Sequence, residues 1–463
     1  MAKKQFDVAV VGAGIGGYIA AIRCAQLGLK TACIEKSKPL GGTCLIVGCI
    51  PSKALLQSTE YYDWLMKESQ QHGIAAKEVS VDFAKMMQRK TQIVDGLTNG
   101  VASLFKKHSI VRYEGTARLT SAHMLELSDK QVIEAENIII ASGSEPIPLP
   151  FLPFDEKVVL SSTGALALPT IPKKMIVVGA GIIGVELASV YNRLGTQVVL
   201  VEMLDRITPM MDTAVSKSLQ SILQKQGLEF HLSAKVTKAK VNANSVSLSV
   251  QEGANETEMT ADVVLVAIGR RPYTKGLGLT EQGITLDSKG YIEVDGNFRT
   301  KQSHIYAIGD VIEGPMLAHK ASEEGVAVAE IIAGQQPHLN YMAIPNVIYT
   351  HPEVASVGLT EAEAREAGME LAIGTCFMRA IGRARCLGYV EGFVKVIGEK
   401  NSGRLLGLHI LSPHASEMIG EGVIAIEKKA TLQDLAAASH AHPTLSEAIH
   451  EASLAALGHP LAF

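Results

Sequence analysis

Two glycine-rich turns of the form GxGxxG, each set between an apolar run and a helix-like segment, predict an α/β fold with two dinucleotide-binding units. Each turn is followed at the same distance by an acid: Glu35 stands 23 positions after Gly12, and Glu202 stands 23 after Gly179. The third observation is bulk composition. A chain of 463 residues, 47% apolar and 19% charged with 42 glycines, is too long for one hydrophobic core and suits about two to four domains.

Taken in order, residues 6–11 form an apolar, β-branched run that ends at Gly12-Ala13-Gly14-Ile15-Gly16-Gly17. Gly12 makes the tight turn, Gly14 lets a pyrophosphate approach the backbone, and Gly17 lets the helix pack on the strand. A helix over residues 18–27 stops at Gly28, and a second strand over 30–34 ends at Glu35, placed to bind a ribose diol. Residues 175–178 repeat the strand. Gly179, Gly181 and Gly184 repeat the turn, a helix runs to about residue 194, and residues 197–201 lead into Glu202. A lone GxGxxG often marks only a tight strand–helix turn. Two copies in full βαβ context, with the acid in register, point to two Rossmann-like domains and two bound dinucleotides.

Glu202 also selects between cofactors. A carboxylate there accepts from a ribose 2′-OH and repels a 2′-phosphate. Met203 and Leu204 follow it instead of arginines, and Arg206 is the only nearby cation, which favours NAD over NADP. The blander alternative makes Glu202 a solvated strand end.

Directly after the first βαβ unit comes Gly41-Gly42-Thr43-Cys44-Leu45-Ile46-Val47-Gly48-Cys49. No second CxxC-type pair completes a metal set. In a regular helix, residues five apart have Cα atoms roughly 8.6 Å apart, whereas a disulfide wants about 4.4–6.8 Å. A bond between Cys44 and Cys49 therefore needs an interrupted helix, and Gly48 supplies the freedom to bend it. Two buried structural thiols are the bland reading. The adjoining fingerprint favours a dithiol that passes electrons, with FAD as the bound redox centre of the first site and the nicotinamide in the second. An apolar strand over residues 303–308 ends in Gly309-Asp310, where an Asp can bind flavin ribityl hydroxyls or simply make a turn.

Several classes are excluded. A formal net charge of −4 without a basic stripe gives no footprint for nucleic acid. The apolar runs are strand-length, so no membrane span is expected; with so early a first strand no signal or transit peptide is expected either, a mature organelle protein cleaved upstream being the alternative. Six cysteines in so long a chain are no secreted disulfide framework. Cys24, Cys33, Cys376 and Cys386 read as thiols, mostly buried, in a reducing cytoplasm.

These motifs together resemble the pyridine nucleotide-disulfide oxidoreductases, and within them the branch that oxidises dihydrolipoamide. The likeness runs through GGTCLIVGCIPSK (41–53), 141–144, AIGRRP (267–272), AIGDV (307–311), GPMLAHKA (314–321), HPEVASVG (351–358) and HAHPTLSEA (440–448). It implies an FAD domain (1–145), an NAD domain (146–272), a central segment returning to the flavin (273–341) and a C-terminal α+β interface (dimerisation) domain (342–463). Independent signs of these breaks are the proline-rich 146–153 stretch, read as a linker, Arg270-Arg271-Pro272 at a strand end, and the Gly334 helix stop. The matching motif positions would place Thr43, Lys53, Gly115, Ala117, Ser142, Gly143, Asp310, Leu317, Ala318 and His319 around FAD. Val236, Gly269 and Arg270 would join the fingerprint at NAD. Lys53 would sit beside the flavin ring and pair with Glu186; read from the sequence alone, both are ordinary helix-surface charges.

Dithiol exchange needs a base, because a free thiol is mostly protonated at neutral pH. The resemblance implies that His442 is that base and that Glu447 orients its ring, with His440 the decoy nearby. It also implies a homodimer in which the His–Glu pair of one subunit serves the disulfide of the other. Cys44 would be the exchanging sulfur and Cys49 the flavin-side one. The partners implied are lipoyl domains of 2-oxoacid dehydrogenase complexes or of glycine cleavage. Two positions depart from the family pattern: Ile46 replaces a usual Asn, and Ile15 a usual Pro. The competing readings are an NADPH-dependent disulfide or metal reductase of the same fold, or a non-catalytic scaffold subunit.

Overall fold

A computed structural model describes residues 4–461. Contacts divide the chain into two compact units: residues 1–55, 82–147 and 269–339 form one, and residues 56–81, 148–268 and 340–463 the other.

In the first unit, strand β1 (Lys4–Val11), helix α1 (Ile15–Gln26) and strand β2 (Thr31–Glu35) make the predicted βαβ unit. Val8, Ala9 and Val10 are fully buried, as a central parallel strand covered on both faces requires. Helices α2 (Gly42–Val47), α3 (Cys49–Lys67) and α4 (Phe83–Lys107) follow, and α3 runs on from this unit into the second. Strands β3 (Val111–Glu114), β4 (Ala117–Ser121), β5 (Met124–Leu127) and β6 (Val132–Ile140) complete a seven-stranded sheet of order β3-β2-β1-β6-β5-β4, with Ile305–Ala307 pairing parallel to β6. The strand expected over 303–308 is thus only three residues long. The Ala318–Ile332 helix stops at Gly334, which has φ +80°, as the sequence predicts.

The second unit repeats the parallel motif. Its five strands lie in the order Glu229–His231, Gln197–Val201, Lys174–Val178, Val263–Val266, Val159–Leu160, with the Ile182–Arg193 helix after the second fingerprint. An antiparallel three-stranded ribbon, Ala234–Asn242 to Asn255–Ala261, packs into the same core. Arg270–Pro272 does not end a strand of this sheet; it pairs with Ser144–Pro146 in the first unit as a separate ribbon, after a break at Gly269 with φ +127°. The proline-rich 146–153 stretch carries a bridge between Leu149 and Leu152, and Leu152 is fully buried.

The second unit also holds an antiparallel five-stranded sheet of residues 346–412, with the helices Ala415–Glu427 and Glu447–Ala456 packed on it around a separate apolar core. This is the expected α+β arrangement. No helix among the described residues is long and apolar enough to cross a membrane.

Candidate active site

The two fingerprints fold into the same local structure. At the first, the Glu35 carboxylate accepts Ala13 N–H at 2.8 Å through Oε2 and Ser37 N–H at 2.8 Å through Oε1. At the second, Glu202 accepts Ala180 N–H at 2.7 Å and Leu204 N–H at 2.9 Å in the same way. Both acids are buried, 8% and 9% exposed, so neither is a solvated strand end. The three glycines of each turn divide their roles. A Cβ on Gly12 or Gly17 would strike the Ala141 or Gly12 carbonyl, and on Gly179 or Gly184 the Ala267 or Gly179 carbonyl. On Gly14 or Gly181 it would meet nothing within 4 Å. The middle glycine opens onto space beside a helix N-terminus, where phosphate is favoured.

The cysteine segment lies directly against the first turn. Gly41 N–H donates to Ala13 O at 2.9 Å, and a Cβ on Gly42 would fall 2.5 Å from Gly14 Cα. Helix α2 carries Thr43 and Cys44, breaks at Gly48, and α3 restarts at Cys49. The break in turn requires glycine: a Cβ on Gly48 would lie 2.8 Å from Thr43 O. A negative charge forming on the Cys49 sulfur therefore sits at the positive end of a 19-residue helix. Lys53 follows at i+4 on the same helix face. The Cys44 thiol is pushed well up by its hydrogen bond with the Cys49 side chain and then by burial, while the Lys53 charge works in the other direction. Two adjacent sulfurs resist double ionisation. Ile46, at the atypical position between them, is half-buried and packs against the apolar core of this unit.

Around the pair, Ser144 Oγ donates to Asp310 Oδ2 at 2.6 Å and accepts from Arg270 Nε at 2.8 Å. Burial holds the Arg270 guanidinium below its usual value, against the charges of Asp310 and Cys49, which favour its protonation. Arg270 thus belongs to the first unit, with Asp310 and the cysteines, together with Gly269. Ser142 Oγ donates to Tyr273 O at 2.7 Å, beside Gly143 with φ +74°. Gly115 N–H donates to Glu35 O at 2.9 Å, and Ala117 is buried in β4. Leu317 caps the Ala318–Ile332 helix, and His319 in its first turn is exposed.

In the second unit Val236 is buried in the three-stranded ribbon. Glu186 is 3% exposed, not a surface charge, and its Oε1 accepts Tyr349 N–H at 2.9 Å. His442 Nδ1 lies 2.8 Å from Glu447 Oε1, and Glu447 Oε2 accepts Thr444 N–H at 2.8 Å. Burial raises the Glu447 carboxyl, but the bonds from His442 and Thr444 outweigh it and hold the group below the usual carboxylate range. The His442 ring is 77% exposed, so Nε2 is open to a reactant while Nδ1 is held. His440 is committed elsewhere, to Glu421 Oε1 at 2.8 Å and Ala438 O at 3.0 Å.

Sequence reasoning missed Ser144, Tyr349, Thr444 and Tyr18, whose phenol is raised by burial and then by the Cys44 charge. These are contacts between distant segments or backbone donors, which leave no periodic signal. A separate cavity of about 190 Å³, whose lining includes Glu60, Arg193, His351 and Tyr389, contains none of the predicted residues.

Comparison with known proteins agrees with this geometry. The family "Pyridine nucleotide-disulphide oxidoreductase" matches residues 6–325, and its dimerisation domain matches residues 344–453. The chain is 49% identical to human dihydrolipoyl dehydrogenase, mitochondrial, over 97% of this chain and 90% of that protein. It is 48% identical to the mouse protein of the same name, over 99% and 92%. Among solved structures, the HOCl-induced flavoprotein disulfide reductase RclA from Escherichia coli superposes with a TM-score of 0.86 at 27% identity, covering 96% of this chain and 99% of that one. LpdA from Mycobacterium tuberculosis has the same fold, with a TM-score of 0.89 at 23% identity, over 97% and 99% of the two chains. The chain belongs to the pyridine nucleotide-disulphide oxidoreductase family.

Proposed function

We propose that this enzyme oxidises protein-bound dihydrolipoamide to lipoamide and delivers the electrons to NAD⁺, as a dihydrolipoyl dehydrogenase. The observation that carries the reading is the Cys44–Cys49 pair seated on the first fingerprint turn, with Lys53 and Arg270 in electrostatic reach. The fit to FAD rests on the open face of Gly14, the buried Glu35, the Gly115–Ala117 and Ser142–Gly143 segments, Asp310, and the start of the Ala318–Ile332 helix. FAD, when bound, accepts two electrons from the dithiol and passes a hydride to NAD⁺. Gly181, Gly184, Glu202 and Val236 would hold the NAD, and Glu202 disfavours a 2′-phosphate, against the NADPH-dependent alternative.

The chain's own residues carry the sulfur and proton steps. His442, oriented by Glu447, accepts the proton of one substrate thiol through Nε2. The resulting thiolate attacks Cys44 Sγ of the Cys44–Cys49 disulfide. A mixed disulfide forms, and the old bond's electron pair leaves on Cys49 as a thiolate stabilised by Lys53 and the α3 N-terminus. The second substrate thiol displaces Cys44 and closes the lipoamide ring, its proton passing to the departing Cys44 sulfur. Two substrate sulfurs are oxidised and two protein sulfurs reduced.

With the dimerisation domain present, we read the enzyme as a homodimer in which His442 of the partner subunit serves each disulfide. The domain division 1–145, 146–272, 273–341 and 342–463 belongs to the same proposal. Lipoyl domains of 2-oxoacid dehydrogenase or glycine-cleavage complexes are the substrates. We place the enzyme in the cytoplasm; its mammalian relatives are named mitochondrial, and cell fractionation decides between the two. The direct test is a steady-state assay with dihydrolipoamide and NAD⁺ set against glutathione disulfide and NADPH. Turnover with the first pair alone supports the reading; preference for the second overturns it.

A further inference from the structure

Lys320 and Glu324 have no part in the steps above, yet they form a fully buried ion pair, Nζ to Oε1 3.0 Å, at i and i+4 of the Ala318–Ile332 helix. Two charges out of water are costly unless their remaining hydrogen-bonding capacity is used well. Here both side chains bond to one residue, Gly309. Lys320 Nζ donates to Gly309 O at 3.1 Å, and Glu324 Oε2 accepts Gly309 N–H at 2.7 Å. Gly309 is therefore gripped on both its amide and its carbonyl, in a left-handed conformation of φ +74°. The next residue is Asp310, whose carboxylate accepts from Ser144 Oγ, which in turn accepts from Arg270 Nε.

The helix that carries the grip is itself fixed against the first fingerprint. A Cβ on Gly325 would lie 2.6 Å from Gly16 O, and one on Gly16 would lie 3.0 Å from Ala321 O. Helix α1 and the Ala318–Ile332 helix thus meet backbone to backbone at Ala321 and Gly325, the residues next to Lys320 and Glu324. A displacement of Asp310 relative to Gly14 would have to break either this contact or the bonds to Gly309.

We propose that Lys320 and Glu324 are positioning residues that fix the Asp310 carboxylate at a set distance from the first fingerprint turn, so that the groups facing the ribityl chain and the pyrophosphate of one FAD act as a rigid unit. The inference rests on the reading of Asp310 as an FAD ligand. The pair acts through Gly309 and touches no reacting atom.

The test uses the FAD-loaded enzyme and the variant Lys320→Met/Glu324→Gln. This variant removes both charges together, leaves no lone buried ion, and keeps an acceptor for Gly309 N–H. The readouts are the rate of FAD release on dilution, followed by flavin fluorescence, the visible absorption bands of the bound flavin, and the far-UV spectrum. Asp310→Ala and the combined variant complete a cycle. Loss of a charge-assisted hydrogen bond corresponds to about a 10- to 100-fold faster release. The proposal predicts that acceleration with an unchanged far-UV spectrum, shifted flavin bands, and a combined variant within about twofold of Asp310→Ala alone, because both act on one group. Full additivity with Asp310→Ala overturns the positioning role and leaves the Asp310 reading intact. Unchanged release in Asp310→Ala overturns the reading, and the inference with it. Should the double variant not fold, Glu324→Asp, which keeps both charges and shortens the reach to Gly309 N–H, carries the same prediction of non-additivity.

Discussion

Around residues 12–17 and around 179–184 the chain builds one turn twice. Glu35 and Glu202 grip the amide of the second fingerprint residue and that of the residue two beyond themselves with near-identical bonds. What differs is the neighbourhood. The first turn has the Cys44 segment laid against it through Gly41 and Gly42, and the Ala318–Ile332 helix packed on α1. Beside the second, Met203 and Leu204 follow Glu202 as exposed apolar side chains. On the proposed assignment, the fingerprint serves dinucleotide binding, and the added segments decide which site keeps a redox centre next to sulfur and which exchanges its nucleotide.

The largest expected effect removes the feature unique to the first region. Cys44→Ser should lower dihydrolipoamide oxidation by more than about 1,000-fold, as loss of a residue on the covalent path does. NADH oxidation by an artificial one-electron acceptor, which bypasses the dithiol, should persist in stopped-flow and steady-state assays. His442→Gln comes next: loss of a general base costs roughly 100- to 10,000-fold in kcat, with FAD content and the KM for NAD⁺ unaltered.

The paired acids then sharpen the comparison itself. Glu35→Gln and Glu202→Gln each weaken charge-assisted bonds, a change worth about 10- to 100-fold in affinity. The first should appear as lost FAD per chain by absorbance, the second as a raised KM for NAD⁺ at full FAD content. If both variants lose FAD equally, the assignment of the two sites is wrong. The smallest effect concerns pH. Glu447 is held below the usual carboxylate range, so its stabilising contribution is complete above the ordinary carboxyl value of about 4.3 and is lost as pH falls through the folded value. The melting-temperature gap between wild type and Glu447→Gln should therefore close as the pH falls through the folded value.

Much of this was legible before any fold was known, because the informative residues are close in sequence. Gly12 to Glu35 is one βαβ unit, and Cys44, Gly48 and Cys49 lie within six positions, so spacing alone carries geometry. His442 and Glu447 sit five apart on a turn into a helix and were found through a motif, not through periodicity. The remainder depended on contacts that sequence order hides. Ser144 meets Asp310 across 166 positions, and Glu186 meets the Tyr349 amide across 163. Glu186 was misread as a surface charge because its helix is buried over most of its circumference, leaving little polar face to reveal which residues point out. The Lys320–Glu324 pair suffers the same concealment: its i,i+4 spacing looks like a solvated surface pair, and only full burial marks it as something else.

The central claim is that Cys44 and Cys49 are the redox dithiol and that Cys44 is the sulfur that meets the substrate. Differential alkylation followed by peptide mass spectrometry tests it most directly. The FAD-loaded enzyme is labelled with iodoacetamide as isolated, and again after anaerobic addition of one equivalent of dihydrolipoamide. The account predicts that Cys44 and Cys49 are bonded to each other before addition, that Cys44 is labelled first afterwards, and that Cys24, Cys33 and Cys376, all buried, stay unlabelled throughout. A disulfide elsewhere, or no change at Cys44 on reduction by substrate, would contradict it.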